Sequence, residues 1–169
     1  MSTEPLSNPE VARLLIEVDA SQPLGPELHT ALIRLSPPVA IEAVALRRNE
    51  ESGLVEVLLR QRGPNEPAYP GHWHCPGSFV RNNEQVEDVL TRLTKGESLG
   101  RVISHQFAGP FLWPEERGWI CSLVTLVTVR DVGSQCFWHP VDHLPNPMVP
   151  EHATDVIPMG LDLYRRQSP

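Results

Sequence analysis

The first 36 residues carry their apolar positions at helical spacing. Val11, Leu14, Leu15 and Val18 lie at i, i+3, i+4 and i+7, directly after the helix-starting sequence Asn-Pro-Glu at 8–10. A second stripe follows Gly-Pro-Glu at 25–27 and consists of Leu28, Ala31, Leu32 and Leu35. We predict a helical extension over residues 1–36. Its apolar face, with Leu14, Leu15, Leu28 and Leu32, must pack on the main domain or on a second copy, which makes a homodimer one prediction.

From Val39 the hydrophobic period changes to that of strands. The run 39–46 predicts a buried strand, residues 49–53 a turn, and residues 54–59 the hairpin partner of that strand. Residues 63–71 are too rich in proline and glycine for regular structure. Between 84 and 95 the helical period returns, with Val86, Val89, Leu90 and Leu93 on one face.

The C-terminal half again alternates between strand and helix patterns. Residues 102–107 and 119–129 predict two strands joined by a loop that contains 114–118, and 136–138 predict a short third strand. Residues 152–166 predict a helix despite Pro158. The order of elements predicts an α/β (α+β) domain over residues 37–169, with a mixed sheet between helices.

The charge and composition restrict the classes of partner. The chain has 169 residues, 14 Lys and Arg against 21 Asp and Glu, and a formal charge of −7. Because basic residues form no run longer than a pair, we expect no nucleic-acid partner and no membrane partner. The hydrophobic fraction of 40% is sufficient for one core. A small soluble ligand is the favoured partner.

The cellular location is predicted from what the sequence does not contain. No apolar stretch reaches the roughly 20 residues that span a bilayer, and the start MSTEPLSNPE lacks the basic and apolar regions of a signal peptide. The three cysteines form no CxxC pair. We therefore expect a cytoplasmic protein with free thiols.

One segment resembles a known motif. Ser78, Glu84 and Arg92 have the spacing of the glycine, glutamate and arginine of the Nudix box, GxxxxxE, seven residues, then REUxEExGU with U aliphatic. The flanks LLRQRG at 58–63 with GHW at 71–73, and WHPVDHLP at 138–145, resemble the corresponding parts of ADP-ribose pyrophosphatase-like members. The resemblance to the Nudix hydrolases covers about residues 39–166 and implies the Nudix fold.

The same alignment shows where the chain departs from the box. In active Nudix members the REUxEE helix supplies several carboxylates that hold magnesium against a diphosphate. Here Leu93 stands at the first acidic position and Gly96 at the second, and only Glu97 is left at the third. Magnesium prefers oxygen ligands in octahedral geometry. The resemblance therefore implies a Nudix fold with a degenerate metal site.

Two functions follow from the resemblance and stay open at the level of sequence. In the first, the chain binds and hydrolyses a nucleoside-diphosphate-linked compound, such as an ADP-ribose-like or dinucleotide compound, by Mg²⁺-assisted attack of water on a phosphoanhydride. In the second, it is an inactive ligand-binding or regulatory module that keeps the cleft without the metal site. Mg²⁺ is the predicted cofactor of the first function only.

The candidate site residues fall into three groups. The metal candidates are Glu97 and Glu84, and the catalytic candidates are Glu97 together with the loop acids Glu115 and Glu116. Arginine forks suit phosphate groups and aromatic rings stack on bases, so the ligand-binding candidates are Arg60, Arg62, Arg92 and Trp73. Solvated surface charge and ordinary core packing are the alternative explanations for these residues. A zinc site formed by His72, His74 and His105 is a further alternative.

Overall fold

Seven strands form one mixed sheet in the computed structural model, which describes residues 7–19, 24–115 and 118–167. The strands are β1 (Val39–Arg48), β2 (Val55–Gln61), β3 (Trp73–His74), β4 (Gly77–Phe79), β5 (Arg101–Glu115), β6 (Gly118–Arg130) and β7 (Cys136–Pro140). The helices are α1 (Asn8–Ile16), α2 (Pro26–Ile33), α3 (Val86–Gly96) and α4 (Ile157–Gln167), with a π-helical segment, His152–Val156, directly before α4.

Strand β1 lies at the centre of the sheet. The order is β3-β2-β1-β6-β5, and β1 runs parallel to β6 and antiparallel to β2. The first half of β1 pairs with β4 and the second half with β2, while β7 pairs with the other edge of β2. The antiparallel strands β5 and β6 form a long hairpin at the opposite edge.

Alternation along β1 separates two cores. Ile41, Ala43 and Ala45 face α3, whereas Val44 and Leu46 pack with the π-helical segment and α4. Successive side chains of a strand point to opposite faces, so Glu42 belongs to the second side. The carboxylate of Glu42 is therefore buried in the layer beside the π-helical segment, where a purely apolar strand would place a hydrophobic residue.

The two N-terminal helices differ in how they contact the rest of the molecule. Ile33 of α2 is buried against Gly118 of the β5–β6 hairpin, and the His29 ring lies 4.8 Å from that of Phe79. Helix α1 has no buried residue, and Leu14 is 55% exposed. The homodimer and the boundary at residue 36 stay predictions.

The predicted fold class is confirmed, but the short strands β3 and β4 were not predicted, the predicted helix 152–166 begins as a π-helical segment, and one strand is longer than predicted. Strand β5 continues beyond residue 107 to Glu115, where the sequence predicted a loop at 114–118. Pro110 and Pro114 are tolerated because β5 is an edge strand, whose free side needs no N–H donor. A register shift between Phe107 and Gly109 lets the pairing with β6 continue.

Pro158 is the second residue of α4 and follows the π-helical segment, so the irregular helical turn lies directly before the residue that has no N–H to donate. Within the part of the chain that the structure describes, none of the helices has the length and apolar character needed to cross a membrane.

Candidate functional site

The loop before α3 is fastened to the helix by Arg92. The guanidinium donates four hydrogen bonds, two to the carboxylate of Glu84 and one each to the Ser78 hydroxyl and the Phe79 carbonyl. The second oxygen of Glu84 also accepts the N–H of Arg81 at 2.8 Å. Hydrogen bonds from Arg92 lower the pKa of Glu84. Both residues thus hold the loop in place, and Glu84 directs its carboxylate at Arg92.

The end of α3 contains one acid where the resemblance expects three. Leu93 is 1% exposed and packs in the core against β1, and Gly96 is the last helical residue. Glu97 follows at the helix C-terminus, and its Oε1 lies 3.3 Å from Nη1 of Arg60. The Glu97 carboxylate also interacts with the backbone N–H of Gly77, and burial raises its pKa.

Glu97 faces a polar cavity of about 170 Å³ between β1, the loop after β2 and the π-helical segment. The charged and polar residues of its wall come from several separate parts of the chain. They are Glu42, Arg62, Glu66, Tyr69, His74, Ser78, Glu97, Glu115 and His152. Volumes of drug-sized ligand sites are about 300 to 1,000 Å³, so this cavity is sized for one polar group of a larger ligand.

Two arginines and two glutamates form an ion-pair network at one wall of the cavity. Nη2 of Arg62 lies 2.7 Å from Oε2 of Glu66, and Nη1 of Arg60 lies 4.0 Å from Oε1 of the same residue. Arg60 and Arg62 are at i and i+2 on an extended segment, which places both guanidinium groups on one side. Within the described residues, the buried Nε of Arg62 has no hydrogen-bond partner.

The floor of the cavity is formed by Glu42 and His152. Trp113 donates its Nε1–H to the Ser122 hydroxyl at 2.9 Å, and this hydroxyl lies 3.5 Å from Oε1 of Glu42. Oε2 of Glu42 lies 3.8 Å from Nε2 of His152. Burial raises the pKa of Glu42 to about 8 and lowers the pKa of His152 to about 3. Both groups are therefore mainly uncharged at neutral pH.

Further polar atoms of the cavity wall have no partner of their own. Nε2 of His74 and Oε2 of Glu97 are buried, and no hydrogen-bond partner for them is found in the described ranges. Burial lowers the pKa of His74 well below its usual value, so this imidazole is neutral. Buried polar groups are normally satisfied. These atoms indicate that the cavity is built to receive a polar group.

The donor set does not fit the predicted magnesium ion. Across residues 7–19, 24–115 and 118–167, no group of three His, Cys, Asp or Glu side chains is arranged to hold a metal. Glu84 is engaged by Arg92, and Glu97 is paired with Arg60. The same finding covers the alternative of zinc: His105 pairs with Glu87 and His72 with the Pro70 carbonyl.

The other predicted site residues are divided between the cavity and more distant places. Arg62, Glu97 and Glu115 line the cavity. Arg60 forms an ion pair with Glu97 from outside the cavity wall. Trp73 instead packs edge to face with Phe137 and His139. Arg92 donates its hydrogen bonds to Ser78, Phe79 and Glu84 in the loop before α3. Glu116 lies outside the described residues.

Sequence reasoning did not select Glu42, Glu66 or His152 as site residues. Glu42 gave a signal, because it is the one charged residue within the apolar run 39–46. Because an unpaired buried charge is costly, an acid in a buried strand either has a partner in the protein or takes part in a functional site. His152 accepts the Cys75 N–H at Nδ1, as a structural histidine would, but its Nε2 is on the side of Glu42 at the cavity.

Comparison with known proteins identifies the fold. No family model and no curated protein sequence matches the chain. Among solved structures, NrtR of Shewanella oneidensis matches with a TM-score of 0.63 and 20% identity over 76% of this chain and 64% of that chain. A MutT/nudix family protein from Enterococcus faecalis matches with a TM-score of 0.51 and 26% identity over 80% of this chain.

The length of these matches differs with the protein compared. The chain spans 64% of NrtR and 51% of the Enterococcus protein. The NUDIX domain of Shewanella NrtR, solved in complex with ADP ribose, is covered over 97% of its length, with 90% of this chain, 19% identity and a TM-score of 0.59.

These matches also correct one prediction from the sequence. NrtR has been solved in complex with a 27mer DNA, so the exclusion of a nucleic-acid partner was wrong. The net charge is a sum over the whole chain and does not describe the potential at a particular face. By contrast, the resemblance to the Nudix superfamily is confirmed at the level of the fold: this chain is a Nudix-fold protein.

Proposed function

We propose that this protein binds a nucleoside-diphosphate-linked compound of the ADP-ribose type without a metal ion, as a ligand-binding module. One observation carries the proposal: the acid left at the end of α3, Glu97, is paired with Arg60 of the protein itself. An internal cation takes the position beside this carboxylate. Leu93, at the position where the family has an acid, is part of the core and cannot contribute a ligand.

The arginines also supply a reason for a phosphate ligand. Arg62 lines the cavity, Arg60 lies beside it in ion pairs with Glu66 and Glu97, and within the described residues the Nε–H of Arg62 is free to donate. Guanidinium groups bind phosphate oxygens through charge-assisted hydrogen bonds without any metal. Glu66 and Glu97 hold these arginines in the absence of ligand and compete with the ligand for them.

The comparisons support the choice of this ligand class. The NUDIX domain of Shewanella NrtR, which has the same fold, was solved with ADP ribose, and NrtR itself was solved with DNA. Over the described residues, the donor set of the cavity does not fit magnesium. This supports a module that binds a nucleotide derivative without hydrolysing it.

The test is calorimetric titration of ADP-ribose into wild type and Glu97→Gln in buffer with EDTA, combined with ³¹P NMR of the same mixtures containing Mg²⁺. The substitution removes one negative charge and releases Arg60. We expect binding to tighten by about threefold to tenfold, equivalent to about 0.7 to 1.4 kcal/mol. The NMR spectrum of ADP-ribose should stay unchanged over hours.

Glu56→Gln is the matched control, because Glu56 forms a comparable ion pair with Arg47 that does not line the cavity. Glu56→Gln should bind ADP-ribose with the affinity of wild type. Mg²⁺-dependent cleavage of ADP-ribose that disappears in Glu97→Gln would refute the proposal and establish the hydrolase. If wild type fails to bind ADP-ribose under both conditions, the proposed ligand class is wrong.

A further inference from the structure

Two polar groups on the floor of the cavity, Glu42 and His152, face each other without forming a hydrogen bond. The Nδ1 of His152 accepts the backbone N–H of Cys75 at 3.0 Å. In a neutral imidazole, the other nitrogen then carries the hydrogen. The Nε2–H of His152 is therefore a donor, and it lies 3.8 Å from Oε2 of Glu42, which is beyond hydrogen-bond distance.

The surroundings of Glu42 keep it protonated. The residue is 6% exposed, and no ion pair joins it to a described arginine; the charge of Arg62 opposes the effect of burial, while the nearby Glu97 adds to it. A buried carboxylate without a cationic partner is costly, so the neutral acid is favoured. The titratable groups around it are Arg62, Glu66, His74, Cys75, Glu97, Glu115 and His152.

The Ser122 hydroxyl decides which oxygen of Glu42 holds the proton. This hydroxyl accepts the Nε1–H of Trp113, so its own hydrogen is available for Oε1 of Glu42. Oε1 faces the Ser122 hydroxyl and Oε2 faces His152, so we place the acid proton on Oε2. Oε2–H of Glu42 and Nε2–H of His152 are then two donors on one side of the cavity, 3.8 Å apart and not hydrogen-bonded to each other.

Space for this arrangement is provided by Gly77. A Cβ at position 77 would lie 2.0 Å from Oε2 of Glu42, a clash that every residue other than glycine would meet. The absence of a side chain at this position leaves Oε2 beside the cavity. The Nε–H of Arg62, on the same cavity wall, is a third donor without a partner in the described ranges.

We propose that Glu42 and His152, together with Arg62, form a subsite that binds one acceptor oxygen of the ligand, a phosphate oxygen if the proposed function holds. The inference rests on that function only for the identity of the ligand. The ligand oxygen accepts the hydrogens of the Glu42 carboxyl and the His152 imidazole, and Glu42 is a binding residue that acts as an acid, not as a metal ligand.

The test compares two variants of Glu42 by calorimetry at pH 7 with EDTA, using ADP-ribose, ADP and inorganic pyrophosphate as probes. Glu42→Gln keeps a donor of similar shape, whereas Glu42→Met removes it. We expect Glu42→Gln to bind within about threefold of wild type and Glu42→Met to bind at least about tenfold more weakly, as for the loss of a hydrogen bond to a charged group.

A second pair of variants makes the same test at His152. His152→Asn keeps an acceptor near Nδ1 for the Cys75 N–H and loses the Nε2 donor, whereas His152→Gln places an amide N–H near Nε2. We expect His152→Asn to bind more weakly than His152→Gln. This pair decides the matter if Glu42→Met does not fold, which thermal unfolding without ligand will show.

Each outcome assigns the failure to one proposal. Equal affinity of Glu42→Gln and Glu42→Met, or tighter binding by Glu42→Gln, which would reveal an ionised and repulsive carboxylate, overturns the subsite. Pyrophosphate binding with the expected ranking but no binding of ADP-ribose supports the subsite and refutes the nucleotide function. If none of the probes binds to wild type, both proposals fail.

Discussion

The two ends of α3 use acidic residues in opposite ways. Before the helix, Glu84 binds Arg92 and fastens the loop, and this interaction lowers its pKa. Beyond the helix, Glu97 lies at a cavity whose floor is Glu42, and burial raises the pKa of both acids. The first end stabilises an ionised carboxylate by hydrogen bonds, while the second keeps carboxyl groups away from water.

This difference separates the two roles of the loop–helix–loop motif. The part that shapes the backbone, with Ser78, Glu84 and Arg92, is joined by hydrogen bonds from Arg92, which the sequence had predicted as a ligand-binding residue. At the positions where the resemblance expects metal-binding acids, the chain has Leu93, Gly96 and Glu97, and Glu97 is paired with Arg60. A fold can therefore keep the geometry of a site while its chemistry changes.

The largest expected effect concerns the pH dependence of stability. Folded Glu42 holds its proton up to about pH 8, whereas the unfolded chain releases it near 4.5. The folded state thus binds more protons in this interval, and the free energy of unfolding falls as the pH rises. Relative to wild type, Glu42→Gln should gain about 3 to 4 kcal/mol between pH 4.5 and 8, measured by urea unfolding.

The acid side provides the contrast for this experiment. His152 has a folded pKa of about 3 against 6.5 in the unfolded chain, so stability is lost as the pH falls through that interval, and His152→Gln should reduce the loss. Glu84 also costs stability on acidification, but only as the pH falls below its unfolded pKa of 4.5. A pH-independent difference between Glu42→Gln and wild type would contradict the assignment of a protonated Glu42.

The next effect in size is the loss of the Arg92 brace. Arg92→Met removes four hydrogen bonds and leaves the carboxylate of Glu84 without its cation. We expect a loss of about 3 kcal/mol in the free energy of unfolding, measured by urea denaturation at pH 7. Arg101→Met, which removes an exposed contact with Asp131 at 3.9 Å, should cost less than about 0.5 kcal/mol.

The smallest expected effect tests the close approach of Gly77 to the Glu42 carboxyl. Gly77→Ala forces the Glu42 carboxyl to move, because the new Cβ would lie 2.0 Å from Oε2. We expect a loss of about 1 to 3 kcal/mol in thermal or urea unfolding, together with weaker ligand binding. Gly96→Ala is the control, because no described atom lies within 4 Å of the position that its Cβ would take, and alanine favours the helix. Equal effects of the two variants would rule out the Gly77 contact.

The pattern of the sequence was sufficient for most elements but not for their ends. Helix α3, strands β1 and β2 and the irregular segment 63–71 lie where hydrophobic period and turn residues predict them. The strand β5 is longer than predicted, because its prolines lie on a free edge that only the sheet order defines. The order of the strands in the sheet cannot be predicted from local sequence propensity.

By itself, the sequence determined the fold class, the spacing of Ser78, Glu84 and Arg92 that matches the box, and the presence of Leu93 and Gly96 at two positions where the box has acids. Each of these depends on residues close together in the chain, where period and spacing are sufficient. Only the tertiary structure decided that Glu42, Glu97 and His152 meet at one cavity. They come from distant segments, and the charge of a buried acid depends on neighbours that folding brings beside it.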